Sequence, residues 1–201
     1  MKASINKFFL TLFFCSFALC SFAKTQSEVL KAFSAWDKNL QNLSVYFEQK
    51  TSFEDILISS GTGHLVKEGQ NLLLDTYENG KLIQRAWTDK QIIKIFDPEG
   101  NLITTSDWQT WQQAQTNKAL FDFGNYEQVL KEHKVKSFAK QEENYKLVLE
   151  GQNGQENYEL TFLLDQNSFP LQITLESQGV KTQTDLKNLK INQEIKKESK
   201  K

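Results

Sequence analysis

Hydrophobic and polar positions change their spacing several times along the chain, and the first regular stretch is helical. In Ser27–Leu43 the apolar residues recur every three or four positions, which is the period of one helix face. They are Val29, Leu30, Phe33, Trp36, Leu40 and Leu43. Ser27 is a suitable N-terminal cap, so we predict an amphipathic helix with two large aromatic side chains on its apolar stripe.

From residue 45 the period becomes two, which is typical of β-strands: Val45, Phe47, Gln49 and Thr51 share one face. Asn79-Gly80 is typical of a type I′ hairpin, because both positions of that turn need φ > 0. The pattern therefore predicts about ten antiparallel strands, so the fold class is mainly β (α+β). The later runs are 57–66, 72–77, 82–87, 92–96, 102–105, 145–151, 156–165, 170–177 and 180–192.

The strand pattern is interrupted between residues 107 and 135. Asp107 can cap a first helix that carries Trp108 and Trp111, and Asn125 can cap a second helix over 125–135. We predict an inserted helical pair between two sets of strands.

One strand shows why the sheet is unusual. Ile93 and Ile95 point to one face and Ile92, Lys94 and Phe96 to the other, so neither face is cleanly polar. Large apolar residues recur in this way on many strands, which is consistent with a packed core or with an apolar cavity between sheet and helices. The periodicity does not separate the two, and composition alone favours the core. The candidates for an apolar binding wall are Trp36, Val45, Phe47, Leu72, Leu74, Trp87, Ile93, Ile95, Trp108, Trp111, Leu149, Phe162 and Ile173.

The first 23 residues have the order of a secretory signal peptide. Lys2 and Lys7 precede an apolar run, and Ser21 and Ala23 are small residues suited to cleavage after Ala23. A retained membrane anchor is the alternative, but the run is shorter than the ~20 residues of a membrane-spanning helix. Lipid attachment at Cys20 is a second alternative, disfavoured by Leu19 before it. We expect an exported, periplasmic protein.

Composition limits the chemistry further. The 201 residues suit one domain, which we place at 24–194, followed by a charged tail at 195–201. Both cysteines, Cys15 and Cys20, leave with the signal peptide, so thiol chemistry is excluded. The charges, 24 basic against 25 acidic, give no basic field for nucleic acid.

No catalytic or metal-binding constellation emerges from the sequence. The two histidines, His64 and His133, are far apart and lack metal-ligand spacing. Acidic residues concentrate at predicted turns, where solvated charge is the simple explanation. We therefore predict a monomer that is not an enzyme, with no cofactor, no metal and no catalytic residues.

The stretch Asp89–Pro98 resembles a recurrent segment of the LolA family of periplasmic outer-membrane lipoprotein carriers. The matching positions are Asp89, Ile93, Phe96, Asp97 and Pro98. Phe47 and Gln49 resemble the aromatic-x-Gln signature of the family's first strand. Gly61, Gly63 and Leu65 resemble the Gly-x-Gly-x-Leu start of the next strand, and the order of elements over 27–192 is similar.

This resemblance implies an incomplete antiparallel β-barrel with helices as a lid over an apolar cavity. It implies a carrier of lipoprotein acyl chains that receives cargo from an inner-membrane lipoprotein-releasing transporter and passes it to an outer-membrane receptor. Members of the family commonly have a basic residue and a proline after the second strand, and the arginine is tied to lid closure. This chain has Lys67, Glu68 and Gly69 there, with no arginine and no proline. We also expect no additional C-terminal strand, an element that is linked in some members to retaining cargo.

Two other functions remain open on sequence grounds. The same fold could serve as a periplasmic sensor or regulatory module that binds misplaced lipoproteins or a membrane partner. A glycan- or lipid-processing hydrolase would need paired carboxylates in a cleft, and such residues can lie far apart in the chain.

Overall fold

The computed structural model describes residues 23–115, 118–153 and 156–193. The predicted signal peptide up to residue 22 and the predicted tail 195–201 lie outside these residues. These residues contain three α-helices, α1 (Gln26–Lys38), α2 (Trp108–Gln113) and α3 (Tyr126–Glu132), with a 3-10 helix at Lys118–Phe121. None of the helices in the described residues is long and apolar enough to cross a membrane.

Eleven strands form one antiparallel sheet, which is open, with β6 and β7 as its two edges. The spatial order is β6-β5-β4-β3-β2-β1-β11-β10-β9-β8-β7. The strands are β1 (Asn42–Phe53), β2 (Ile56–Glu68), β3 (Asn71–Glu78), β4 (Lys81–Thr88), β5 (Ile92–Asp97), β6 (Leu102–Asp107), β7 (Lys134–Gln141), β8 (Asn144–Asn153), β9 (Glu156–Leu164), β10 (Pro170–Ser177) and β11 (Val180–Ile191).

The chain therefore builds the sheet in two meanders that meet in the middle. Strands β1 to β6 run outward to one edge, and β7 to β11 return from the other edge until β11 pairs with β1. Between the meanders the chain passes from edge to edge through α2, the 3-10 helix and α3, which we call the helical crossover (residues 108–132). The predicted incomplete antiparallel barrel with helices is confirmed.

Strand β7 was not expected from the sequence. The second inserted helix was predicted to reach residue 135, but α3 ends at Glu132 and an extended strand begins at Lys134. Lys134, Lys136 and Lys140 make this strand polar on its exposed positions, so the hydrophobic alternation that marks other strands is weak. The prediction of about ten strands is one short for this reason.

The N-terminal cap of α1 also differs from the prediction. Thr25, not Ser27, is the cap: its backbone N–H donates to Glu28 Oε2 at 2.7 Å, and the Glu28 N–H donates to Thr25 Oγ1 at 3.3 Å. This reciprocal pair is a capping box, and its Thr-x-x-Glu spacing is present in the sequence. Asp107 does cap α2 as predicted, since its Oδ1 accepts from the Thr110 N–H at 2.8 Å.

Tight turns fix the register of the hairpins. Asn79 and Gly80 have φ values of +50° and +77°, as the predicted type I′ turn requires. Glu54 and Asp55 form a similar turn between β1 and β2, with φ values of +46° and +66°. Because register decides which residues share a face, these turns determine which side chains meet the helices.

The sheet has an inner face, which packs against the helices, and an outer face. On the two central strands the inner face carries Val45 and Phe47 of β1 opposite Leu65 and Gly63 of β2. A Cβ atom at Gly63 would lie 2.2 Å from Cζ of Phe47, so the phenyl ring lies directly over the glycine. The second glycine of the Gly-x-Gly pattern thus makes room for an aromatic ring on the inner face.

Candidate functional site

The floor of the candidate site is the apolar part of the inner face. Leu72, Leu74 and Ile93 lie on one side of the central strands, and Leu149, Phe162 and Ile173 lie on the other. These side chains are at most 9% exposed. An apolar surface that spans both meanders is therefore present, and only the helices and the side chains above it separate it from water.

One half of this floor is covered by an aromatic cluster from α1 and the helical crossover. The ring of Phe33 lies 5.1 Å from that of Tyr126 and 5.2 Å from that of Phe162, measured between centroids. Trp36 lies beside the same cluster, 6.4 Å from Tyr126, and its Nε1–H donates to the Ser168 carbonyl at 2.9 Å. Edge-to-face and offset pairs of this kind add to the burial energy, so α1 is held on β9 and on the turn between β9 and β10.

The other half is covered by α2 and the 3-10 helix. Trp108 and Trp111 stack with their centroids 5.5 Å apart, and Phe121 meets both rings edge-on at 6.0 Å and 5.2 Å. Trp108 is 5% exposed and Trp111 is partly buried. The inner face is thus covered by aromatic side chains of the crossover rather than by a second sheet.

A single buried carboxylate joins α1 to the crossover. Asp37, 1% exposed, accepts hydrogen bonds from the backbone N–H groups of Gly124 at 2.6 Å and Tyr126 at 2.7 Å. These donors stand at the start of α3, whose predicted cap Asn125 makes no side-chain capping bond. Burial raises the pKa of Asp37 to about 6 from the usual 3.8, although both N–H donors and the Lys67 ammonium act in the opposite direction.

Lys67 lies beneath this junction, in the stretch Lys67–Gly69 that lacks the arginine and the proline implied by the resemblance. Its side chain is buried, and its Nζ donates to the Gly69 carbonyl. A Cβ atom at Gly124 would lie 3.0 Å from Cε of Lys67, and Gly124 has φ of +86°. Both the close contact and the backbone conformation therefore favour glycine at this position. Burial and the neighbouring Lys90 lower the pKa of Lys67.

Two more charged groups complete the junction. Burial raises the pKa of Asp122, opposed by Lys90 and Lys118 and by a hydrogen bond from Gln112 Nε2 at 3.2 Å. Burial lowers the pKa of Lys90, opposed by Asp122 and Asp37. The crossover therefore meets the sheet through a cluster of two acids and two lysines, Asp37, Asp122, Lys67 and Lys90.

The buried Asp75 belongs to a different face. Its carboxylate forms two bonds of 2.6 Å with Nε and Nη2 of Arg85, on the outer face of β3 and β4. It is thus separated by the sheet from Asp37. Paired carboxylates facing one cleft, which a hydrolase would need, are not formed by these two residues.

The structure brings together all but one of the residues predicted to line the apolar wall. Those placed on the inner face or in the helices above it are Trp36, Val45, Phe47, Leu72, Leu74, Ile93, Ile95, Trp108, Trp111, Leu149, Phe162 and Ile173. The exception is Trp87, which is 36% exposed and lies on the outer face between Leu73 and Lys94, while its neighbours Ala86 and Thr88 point inward.

Several residues of the covering layer were not singled out from the sequence. Phe33 and Tyr126 were recognised only as part of helix patterns, and Phe121 and Phe123 precede α3 without any regular period. Asp37 carried no signal, because its two partners are far away in the chain. The helical spacing of Phe33 with Trp36 was the one usable clue.

A surface groove of about 760 Å³ lies between α1 and α3. Its lining includes Leu30 and Leu130 together with Lys31, Lys38 and Lys131. The Lys131 ammonium is already paired with Glu127 at 2.7 Å. Among the described residues, no strand residue lines the groove, so it is distinct from the apolar floor and is not part of the candidate site.

Comparison with known proteins identifies the fold. No family model and no curated protein sequence matches the chain. The crystal structure of a LolA superfamily protein from Nitrosomonas europaea is similar over 85% of this chain and 95% of that one, with 11% identity and a TM-score of 0.50. An uncharacterised conserved protein from Thermus thermophilus is similar over 84% of this chain and 88% of its own, with 10% identity and a TM-score of 0.52. The resemblance to LolA-type proteins seen in the sequence is therefore matched by the fold.

Proposed function

We propose that this protein is a periplasmic carrier that binds the acyl chains of lipoproteins between the helical crossover and the inner face of the sheet. It would take lipoproteins from an inner-membrane transporter and pass them to an outer-membrane receptor. The observation that carries the proposal is the apolar floor that spans both meanders and is covered by a crossover attached through polar contacts at Asp37 and Lys67.

The energetics favour such a use of the floor. Each acyl CH₂ group removed from water contributes about 0.8 kcal/mol, so a lipoprotein needs a shield to pass through an aqueous compartment. In the closed form aromatic rings of the helices already occupy the floor, and an acyl chain must replace them. Net affinity is the difference between the two sets of apolar contacts, which keeps binding reversible without an energy source.

The polar junction gives the crossover a way to separate from the sheet. Asp37 and Lys67 are buried and Asp122 and Lys90 are partly buried, so all four lose hydration when the crossover lies on the sheet, which offsets part of the gain from ring packing. We expect the crossover to move and α1 to stay, since α1 is fixed by Trp36 on the β9–β10 turn.

The tryptophans provide a direct test. Mature protein, residues 24–201, is titrated with a fatty acid that carries bromine atoms along its chain, which quench nearby indole fluorescence. In single-tryptophan variants we expect quenching of Trp36, Trp108 and Trp111, which line the inner face or its cover, and little quenching of Trp87 on the outer face. Equal quenching at all four positions, or none, would contradict the proposal.

A matched pair of substitutions tests the floor itself. Ile93→Glu introduces a charge on the inner face where the side chain is 1% exposed, whereas Ile92→Glu does so on the outer face where it is 46% exposed. We expect the first to abolish uptake and the second to leave it unchanged, with circular dichroism recording that both remain folded. Ile93→Ala, a milder change, should weaken uptake if Ile93→Glu does not fold.

A transfer experiment separates a carrier from a sensor on the same fold. Protein loaded with an acylated peptide is mixed with lipid vesicles, and the peptide on the vesicles is measured over time. A carrier releases its cargo to the acceptor membrane. Retention of the cargo would favour the sensor.

A further inference from the structure

The two free edges of the sheet are built differently. Edge strand β7 carries Lys134, Lys136 and Lys140 and has an irregular register between Val135 and Ser137. Lysines and bulges on an edge disfavour the addition of another strand. This edge is protected in the way that natural sheets usually are.

Edge strand β6 lacks these protections. Its six residues, Leu102–Asp107, are all exposed, and the side chains of Leu102 and Ile103 are 56% and 57% exposed. It carries no charge between Leu102 and Ser106, and its register with β5 is regular from Asp97↔Leu102 to Ile92↔Asp107. Ile103, Thr104 and Thr105 are residue types that favour strands.

Within the described residues β6 pairs with β5 alone, so the backbone N–H and C=O groups on its other side form a free sheet edge. We propose that this edge binds an extended segment of a partner polypeptide, which adds to the sheet as one more strand. Main-chain hydrogen bonds would supply affinity, and side chains that alternate beside Leu102 and Ile103 would supply selectivity.

Charge at the two ends of the edge indicates the kind of segment. Asp107 stands at one end of β6, and Asp97 of β5 lies opposite Leu102 at the other end. Hydrogen bonds from Thr110 lower the pKa of Asp107, so its carboxylate is ionised at neutral pH. A segment with a β-branched or apolar centre and basic residues on both flanks is therefore the best complement.

The same charges disfavour a second copy of this chain as the occupant. If two β6 strands paired antiparallel, Asp107 of each copy would lie opposite Leu102 of the other, one strand away from its Asp97, and the two carboxylates would repel each other at both ends. The proposal therefore commits to another polypeptide. It does not depend on acyl binding, because the edge lies outside the floor and its cover.

The test uses full mature protein and two synthetic blocked peptides. Both have the centre Val-Thr-Val-Thr-Val, one with two lysines on each flank and one with two glutamates. Amide hydrogen exchange and NMR chemical shifts report which strand is contacted. We expect the lysine-flanked peptide to protect the amides of residues 102–107, to bind more tightly than the glutamate-flanked one, and to weaken as salt is raised.

Two variants make the outcome decisive. Ile103→Lys places a charge on the β6 edge at an exposed position and should weaken binding about tenfold or more. Ser137→Lys places the same charge on the β7 edge and should leave binding unchanged. The proposal is overturned by no binding, by protection at β7, by equal binding of both peptides, or by a dimer of the free protein that Ile103→Lys dissolves.

Discussion

Asp37 of α1 caps α3, a helix that begins 89 residues later in the chain, by accepting the Tyr126 backbone N–H at 2.7 Å. The other carboxylate oxygen accepts the Gly124 N–H at 2.6 Å. One side chain of a fixed helix thus holds the start of a helix that the proposed function requires to move. This junction and the packing of the inner face can be tested separately.

Removal of the Asp37 carboxylate should loosen the crossover. In Asp37→Ala the N–H groups of Gly124 and Tyr126 lose their acceptor, which should lower the free energy of unfolding by about 2 kcal/mol. Urea denaturation measures this loss, and hydrogen exchange should speed up in residues 118–132. Glu143→Ala, at an exposed turn, serves as the control. An unchanged exchange rate in α3 would refute the capping role.

The raised pKa of Asp37 predicts a specific dependence of stability on pH. Since the folded state holds this proton with a pKa of about 6 and the ordinary value is 3.8, protonation favours the folded state. The contribution of Asp37 is therefore fully present below about pH 4 and is lost as the pH rises through 6. Comparison with Asp37→Asn, which does not titrate, should show the wild-type protein gaining relative stability between pH 7.5 and 5. A difference that is constant with pH would count against this prediction.

Lys67 should influence the pH at which the stability contribution of Asp37 changes. Its positive charge lowers the pKa of Asp37, so Lys67→Met should move the midpoint of the Asp37 effect to higher pH. The same urea titration at several pH values measures the shift. Lys81→Met removes an exposed lysine that pairs with Glu99 at 2.8 Å and should leave the midpoint in place.

Gly63 should be intolerant of even a methyl group. Gly63→Ala would place Cβ 2.2 Å from Cζ of Phe47 and 2.8 Å from the backbone oxygen of Asp75, so the ring must leave its position. We expect a loss of about 2 kcal/mol in thermal or urea unfolding and weaker acyl uptake. Gly61→Ala, whose Cβ would lie at an ordinary contact distance of 3.8 Å from the Tyr77 carbonyl oxygen in β3, should be nearly neutral. Equal stability of the two variants would disprove the role of the glycine.

Much of the architecture could be predicted from local signals. The alternation of Ile92 and Ile93 predicted that they lie on opposite faces, and the structure buries Ile93 and exposes Ile92; Asn79-Gly80 predicted its turn. These features depend on residues adjacent in the chain, where steric limits on φ and the period of two act directly. The same local patterns gave the order of the elements, and the resemblance at Asp89–Pro98 then implied that the strands form an incomplete barrel.

The remainder depends on contacts that the local pattern does not contain. Trp87 is the largest residue of its strand, yet the smaller Ala86 and Thr88 face inward, because the strand register pairs Trp87 with Leu73 and Lys94 on the outer face. The lysines of β7, which disfavour pairing with a further strand, also weaken the alternation of hydrophobic and polar residues that would have predicted this strand. The bond from Asp37 to Tyr126 appears only when the crossover is folded over α1.

The passage of the chain from β6 to β7 limits how the site can open. Each end of the helical crossover continues into an edge strand, one on either side of the sheet. In the proposed carrier, a segment tethered at both ends would rise from the sheet between its two attachments and would not rotate about a single hinge. Acyl chains would then enter from the open sides beneath it, and the length of the crossover would limit the number of chains that fit.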